Sequence, residues 1–284
     1  MNWRTRKLTA SLYYDGVLKN TLTEELAFTF NTYEAVSGAL NEANVVISGL
    51  KTDTMFSLAT SNTQWVKNWV QNRLVIEAGY EGSNKGVVFD GTIMEARPDL
   101  SKADYSITLK AMSMFSELTK VKSYTYAGDT PVNTIARKLG TDLGLVLVSD
   151  IDDTVTISNF LLRDQNAVMG LRALSQATGL DIFESKGRLY VKKRNEGLKK
   201  LPQLTIPQAE IIGVPEPTPT GVIITIRLNP SYQTGQRVKV NSLKYPQLSS
   251  YDFYISTLSH AGQTRGSEWI TRLNLMKEGL GFYR

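Results

Sequence analysis

The sequence contains no cysteine and only one histidine, His260. Disulfide bonds, thiol nucleophiles and cysteine-ligated metal sites are therefore excluded, and one imidazole cannot form a histidine-rich zinc centre. A Ser-His-Asp arrangement would have to use His260, but no G-x-S-x-G turn supplies its serine. We therefore interpret His260 as a hydrogen-bonded residue at the end of a strand.

Long apolar runs are also missing. No stretch approaches the roughly 18 consecutive apolar residues that span a bilayer, and residues 1–16 are charged without an apolar core, so we expect neither a membrane anchor nor a secretory signal. The absence of cysteine fits folding in a reducing cytoplasm. A net charge of +5 over 284 residues is only mildly basic. Nucleic acid is compatible with this charge but is not indicated by it.

The first segment, residues 1–125, is predicted to be a barrel-like antiparallel β-domain. Apolar and polar residues alternate in the stretches 9–16, 26–33, 73–80 and 104–112, and Leu26, Phe28 and Phe30 share one face. Thr52 or Asp53 could cap a short helix. Trp65 and Trp69, four residues apart, predict a second helical turn.

The middle segment, residues 126–200, is predicted to be α+β. One helix is expected after Thr130 as N-cap, ending at Gly144, and another between Asp164 and Gly179. The apolar faces of these helices are expected to be formed by Val132, Ile135, Ala136, Leu139 and Leu143, and by Val168, Leu171 and Leu174. Lys186-Gly187 then predicts a two-residue hairpin turn.

The last segment, residues 201–284, is predicted to be a second β-domain, with strands at 222–228, 236–242, 251–260 and 267–276. The proline-bearing stretch 214–221 predicts an extended linker or exposed loop rather than a core strand. The predicted fold class is therefore α+β and mainly β, with two barrel-like antiparallel β-domains and an intervening α+β segment.

The glycine-rich stretch 79–98, GYEGSNKGVVFDGTIMEARP, could be a nucleotide loop or a β-hairpin. A phosphate-binding loop needs G-x-x-x-x-G-K-[ST] between a strand and a helix. Here Lys85 precedes its glycine, Gly86, and a strand pattern follows it. The spacing favours the hairpin.

Two charged stretches have both a functional and a plain interpretation. Residues 149–154, SDIDDT, match only part of a calcium loop, since Val155 stands in place of the glycine and Leu161 in place of the glutamate. Residues 191–200, VKKRNEGLKK, could bind nucleic acid. Solvated loops are the favoured interpretation of both.

Nothing in the sequence marks a catalytic pair of carboxylates, although two distant residues could still form one. We therefore predict that the chain is not an enzyme and that it uses no cofactor and no metal.

Several collinear stretches resemble the hub proteins of bacteriophage tail baseplates, in particular those of contractile-tailed phages. The strand containing Phe89, Gly91 and Ile93 is similar to an F-x-G-x-I motif of that family. Residues 125–145 and 161–193 resemble its helices and following hairpin. Pro230 and Gly235 match a later strand pair, and the closing hairpin carries the matching His260 and Trp269.

This resemblance implies a structural virion protein that does no bond chemistry. In the family, two barrel-like domains and an α+β part assemble into a pseudo-sixfold homotrimer, which joins the sixfold tail tube to the threefold central spike. The expected partners are therefore other copies of the chain, the spike, the tube or tube-initiator protein, the wedge proteins and the tape measure protein. DNA would pass through the channel only as cargo. The expected location is the tail baseplate, assembled in the host bacterial cytoplasm.

Two other functions remain open at this stage. One is a virion-associated hydrolase of peptidoglycan or polysaccharide, although no lysozyme-like domain is evident in the sequence. The other is a basic module that binds nucleic acid.

Overall fold

The computed structural model describes residues 5–37, 40–61, 71–101 and 104–280. Within these ranges the fold is α+β and mainly β, as predicted. The predicted helical turn with Trp65 and Trp69 lies outside the described residues.

The first segment consists of seven strands and one helix in the described ranges. They are β1 Arg6–Tyr14, β2 Val17–Thr23, β3 Ala27–Ala35, β4 Glu42–Ser48, α1 Thr52–Ser61, β5 Asn72–Tyr80, β6 Gly86–Asp99 and β7 Ser106–Met112. Burial alternates along β3 and β4, because successive side chains of a strand point to opposite faces of the sheet. The stretch 79–98 is a hairpin between β5 and β6, which confirms the prediction.

The middle segment has two helices packed on short strands. They are β8 Lys122–Pro131, α2 Val132–Asp142, β9 Val146–Ser149, β10 Thr156–Gln165, α3 Ala167–Thr178, β11 Asp181–Ser185 and β12 Arg188–Lys192. The predicted apolar faces of α2 and α3 are buried. Lys186 and Gly187 both have positive φ, 49° and 72°, and join β11 to β12 in the predicted two-residue turn.

Both predicted helix N-caps in this segment are wrong. Thr130 pairs with Ile157 in the ladder between β8 and β10, and Pro131 occupies the N-cap position of α2. Asp164 lies in β10, whereas Asn166 caps α3 by accepting a hydrogen bond from the backbone N–H of Met169 at 2.9 Å. In each case a strand runs up to the helix and takes the residue that was expected to cap it.

The last segment consists of β13 Leu204–Ile206, β14 Glu216–Thr218, β15 Gly221–Arg227, β16 Arg237–Val240, β17 Phe253–Gln263 and β18 Trp269–Lys277. The stretch predicted as a linker contains β14, which pairs with β15. It can do so despite Pro217 because β14 lies at the edge of the sheet, where a missing N–H leaves no partner strand unpaired.

One large sheet connects the first and last segments. Its strand order is β14-β15-β18-β17-β3-β4-β7-β6-β5-β1-β2, and the connection is the antiparallel pairing of β3 with β17. Among the strands that the structure describes, β14 and β2 are the outer ones of this order, and β16 and β13 branch from β17, so this sheet does not close into a barrel. The division at residues 125 and 200 stays a prediction.

Three main groups of buried apolar side chains fill the fold. The first is built largely from β1–β7, the second from the middle segment and the third from β13–β18. Leu228 and Trp269 of the last segment belong to the first group, which therefore spans two segments. No helix within the described ranges is long and apolar enough to cross a bilayer.

Candidate functional site at the junction of the three segments

The F-x-G-x-I residues of β6 are part of the first core. Phe89 and Ile93 are buried there, with 5% and 2% of their surfaces exposed. A Cβ on Gly91 would lie 2.6 Å from the Phe89 ring and 2.7 Å from the carbonyl oxygen of Met112. Only glycine fits, because β6 and β7 approach closely beneath the aromatic ring.

Trp269 of the last segment packs against residues of the first segment. Its ring packs edge-to-face on Phe30, with 5.7 Å between centroids, and its indole N–H donates to the carbonyl oxygen of Gly79 at 3.2 Å. The guanidinium of Arg6 lies 5.5 Å from the ring centroid. The matched tryptophan is thus an internal packing residue.

Pro230 and Gly235 contact the middle segment. The carbonyl oxygen of Pro230 accepts a hydrogen bond from the ammonium of Lys186 at 2.7 Å. Gly235 has φ +76°, and a Cβ there would lie 2.7 Å from the Phe183 ring and 2.8 Å from Leu198. Both positions therefore hold the chain where it passes the β11–β12 hairpin.

His260 does not lie at a strand end, in contrast to our expectation. It pairs with Thr32 and Thr271 within β17, because the strand continues through Ala261 and Gly262. Its Nδ1 lies 2.8 Å from the hydroxyl oxygen of Thr271, which also accepts the backbone N–H of Asn229 at 2.9 Å. The Thr271 hydroxyl therefore hydrogen-bonds both the His260 ring and the backbone of Asn229.

This environment keeps His260 neutral. Only 3% of its surface is exposed, and desolvation, together with the nearby charge of Lys186, lowers its pKa to about 3. Since the ring is buried and its Nδ1 is hydrogen-bonded to the Thr271 hydroxyl, the geometry is that of a structural histidine rather than of a catalytic base.

A cavity of about 460 Å³ lies where the three segments meet. The first segment contributes Glu34, Phe89 and Asp90, the middle segment contributes Glu184 and Lys186, and the last contributes Pro230, Leu258 and His260. Three of the seven matched motif positions, Phe89, Pro230 and His260, therefore line one space. We call it the junction cavity and take it as the candidate site.

Glu184 is the most unusual group of the junction cavity, and the sequence did not single it out. Its side chain is 9% exposed; it accepts hydrogen bonds from the Asn41 amide at 2.6 Å and from the backbone N–H of Gly187 at 2.9 Å. Desolvation raises its pKa to about 7, and the charges of Glu34 and Asp90 act in the same direction. The available signal was a glutamate two residues before the hairpin turn, inside a strand that is otherwise mostly buried.

The basic stretch 191–200 is only partly the solvated loop that we expected. Lys192 is buried, lies 2.5 Å from the carboxylate of Asp181 and sits 4.5 Å from the centre of the Tyr254 ring. Burial lowers its pKa, and Asp181 opposes that shift. Lys193, Arg194, Lys199 and Lys200 are exposed.

The acidic stretch 149–154 is held by internal hydrogen bonds. The Asp150 carboxylate accepts the backbone N–H groups of Lys199 and Lys200, and Asp153 accepts the Asn133 amide at 2.7 Å. In the described ranges, no three His, Asp or Glu side chains are grouped so that they could hold a metal ion.

We expect Glu184→Gln to remove a pH-dependent destabilisation. The folded-state pKa of about 7 lies above the ordinary value of 4.5, so the native protein binds more protons than the unfolded chain between these pH values. The contribution of Glu184 to stability should therefore fall by about 3 kcal/mol as pH rises through that window. Urea unfolding at pH 4.5 and 7.5 should show the variant gaining that amount relative to wild type.

Glu25→Gln is the matched control, because Glu25 is an exposed glutamate outside the junction cavity. A free-energy difference between Glu184→Gln and wild type that is the same at both pH values would contradict the prediction.

Comparisons with known proteins place this architecture among phage tail proteins. Residues 7–274 match a family model described as baseplate hub gp41. No curated protein sequence matches the chain significantly.

Solved structures share the fold at low sequence identity. A 43 kDa tail protein of prophage MuSo2 from Shewanella oneidensis superposes with a TM-score of 0.62 at 7% identity, covering 96% of this chain and 97% of that one. A tail protein from Neisseria meningitidis gives 0.60 at 15% identity, with the same coverage. An E. coli component of the type VI secretion system, which exhibits structural similarity to the T4 tail proteins gp27 and gp5, gives 0.58 at 10% identity, covering 94% and 77%. Because the family match runs over nearly its whole length, the chain belongs to the baseplate hub gp41 family and is a structural protein of the phage tail.

Proposed function

We propose that the chain is the hub of a phage baseplate and assembles into a homotrimeric ring. The ring would join a sixfold tail tube to a threefold central spike and surround the channel for the tape measure protein and DNA. Its other partners would be the tube or tube-initiator protein and the surrounding wedge proteins, and assembly would take place in the host cytoplasm. The observation that carries this proposal is the family match over residues 7–274.

The outer strands of the large sheet support an assembly role. β2 is seven residues long and contains no proline, and Leu18 near its start is 50% exposed. β14 is only three residues long and contains Pro217, and both features make this edge less able to pair with a strand of another chain. A ring needs two different complementary patches on each subunit, and a free strand edge is a common place for a neighbour to add a strand. We infer that β2 is one of these patches.

The solution mass of the purified chain tests the homotrimer. We expect light scattering to give three times the 31.6 kDa of one chain, about 95 kDa, without added nucleotide or metal. A stable monomer throughout the micromolar range would count against self-assembly of the ring.

Leu18→Asp tests the β2 edge within that assembly. A charge buried in a strand-to-strand contact is costly, so we expect the trimer to dissociate at least tenfold more readily. Leu243→Asp is the control, because Leu243 is 80% exposed on a loop distant in sequence from the edge. If Leu18→Asp leaves the mass unchanged, the trimer stands but β2 is not its contact.

The alternative is a cell-wall hydrolase, and one observation favours it: a carboxyl with raised pKa, Glu184, lies in a cavity with Glu34 and Asp90. Against it, both oxygens of Glu184 are already bound by Asn41 and Gly187. Turnover of purified peptidoglycan that is lost in Glu184→Gln would establish the hydrolase, and absence of turnover in the wild type would dismiss it.

A further inference from the structure

The junction cavity has both apolar and charged lining residues. Val88, Phe89, Pro230 and Leu258 are apolar, whereas Glu34 and Glu184 carry carboxyl groups. Its volume of about 460 Å³ falls within the roughly 300–1,000 Å³ of ligand sites. The cavity therefore suits a small group with an apolar body and one polar end.

The carboxyl groups of the cavity are not balanced by ion pairs. Neither Glu34 nor Glu184 makes an ion pair with a residue in the described part of the chain. The ammonium of Lys186 donates instead to the carbonyl oxygens of Pro230 and Ser231, at 2.7 and 3.3 Å. Asp90 is paired with Arg73. Two carboxyls thus line the cavity with one cation, Lys186, whose charge acts on Glu34 without a direct ion pair between them.

Hydrogen bonding leaves room for a further donor. The backbone N–H and the hydroxyl of Thr234 both bind Oε1 of Glu34, so Oε2 has no hydrogen bond from the described residues. Glu34 is half-buried, and a partly desolvated carboxylate is stabilised by a cation or by further hydrogen-bond donors. A cationic donor entering the cavity would supply both.

We propose that the junction cavity binds a primary ammonium group carried on a short apolar chain, with the ammonium between Glu34 and Glu184 and the chain along Phe89, Pro230 and Leu258. An ammonium fits better than a guanidinium, which prefers two free oxygens on one carboxylate. Both oxygens of Glu184 are already hydrogen-bonded. The source of the group is either a free alkylamine or the lysine side chain of a neighbouring protein.

Binding of this group should tighten as pH rises. The pKa of Glu184 is about 7, so its ionised fraction grows roughly 30-fold between pH 5.5 and 8, and affinity should follow. The other charged groups lining the cavity are Glu34, Asp90 with its partner Arg73, and Lys186. His260 stays neutral in this range. Burial lowers the pKa of Lys186, and any loss of the Lys186 charge as pH rises would also favour binding of an ammonium group.

Isothermal titration calorimetry of the full chain with butylammonium chloride tests the site, with 1-butanol as the neutral probe of the same shape. We expect butylammonium to bind at pH 8, roughly 30-fold more weakly at pH 5.5, and at least tenfold more weakly in Glu184→Gln and Glu34→Gln. Glu25→Gln removes the same charge outside the cavity and should bind as wild type does. Three results would each overturn the proposal. They are equal affinity for 1-butanol and butylammonium, wild-type affinity for butylammonium in both cavity variants, and no binding of butylammonium to the wild type at pH 8.

A second titration distinguishes the two sources. The blocked lysine Nα-acetyl-lysine N-methylamide carries the same ammonium on a peptide backbone. Comparable affinity for it would assign the cavity to a lysine of a neighbouring protein. Its exclusion, with butylammonium still bound, would assign the cavity to a free amine.

Discussion

Phe89→Ala should lower the free energy of unfolding by about 3–5 kcal/mol, the cost typical of a truncated core aromatic. Lys85→Ala, four residues earlier in the same hairpin, should lower it by less than about 1 kcal/mol. Lys85 lies at the surface, where its ammonium is 3.3 Å from the Glu77 carboxylate and 2.6 Å from the Thr9 hydroxyl. The two variants thus compare a core position with a surface position in one hairpin.

The cost at Phe89 should lie towards the upper end of that range. Its ring packs over Gly91 and also forms part of the wall of the junction cavity. Truncation would enlarge a space that already exists instead of allowing the core to collapse, and unfilled space adds to the loss of burial. Urea unfolding followed by circular dichroism measures both variants. Similar small losses for Phe89→Ala and Lys85→Ala would show that Phe89 is not a core residue.

The strands were predictable because their signal is local. Alternation along β3 and β4, for example, places Phe28, Phe30, Val45 and Ile47 in the first core, and it depends only on the period-two geometry of a strand. The helix caps failed for the opposite reason. Thr130 has the chemistry of a cap, but pairing with Ile157, 27 positions away in the sequence, decides its conformation.

The junction cavity was not predictable from the sequence for a related reason. Glu34, Glu184 and Pro230 come from three segments, and no periodicity connects residues so far apart in the chain. His260 was wrongly placed at a strand end because Ala261 and Gly262 resemble the start of a turn. They instead continue β17, paired on one side with Asn31 and Phe30 and on the other with Ile270 and Trp269.

His260→Asn should remove a destabilisation of the folded protein that appears at acid pH. The pKa of His260 is lowered from 6.5 to about 3, so between these values the unfolded chain binds more protons than the native protein. Stability due to this group is present above pH 6.5 and is lost as pH falls below it, by about 3 kcal/mol between pH 7.5 and 4.5. Asparagine is neutral throughout, and its amide can hydrogen-bond the Thr271 hydroxyl in place of Nδ1, because it offers both a donor and an acceptor.

The contribution of Glu184 runs in the opposite direction over the same window. Raising the pH from 4.5 to 7.5 removes about 3 kcal/mol of stability through Glu184 and restores a similar amount through His260. These two groups should therefore nearly cancel in the wild-type protein.

Each single variant should expose the effect of the group that remains. In His260→Asn the unfolding free energy should fall as pH rises from 4.5 to 7.5, whereas in Glu184→Gln it should rise. The double variant Glu184→Gln/His260→Asn should again resemble wild type in its pH dependence, apart from a coupling of about 0.5–3 kcal/mol that neighbouring groups can show. Unfolding free energies of all four proteins at pH 4.5, 6 and 7.5 measure this pattern. If both single variants changed slope in the same direction, the opposing titration of the two buried groups in the junction cavity would be wrong.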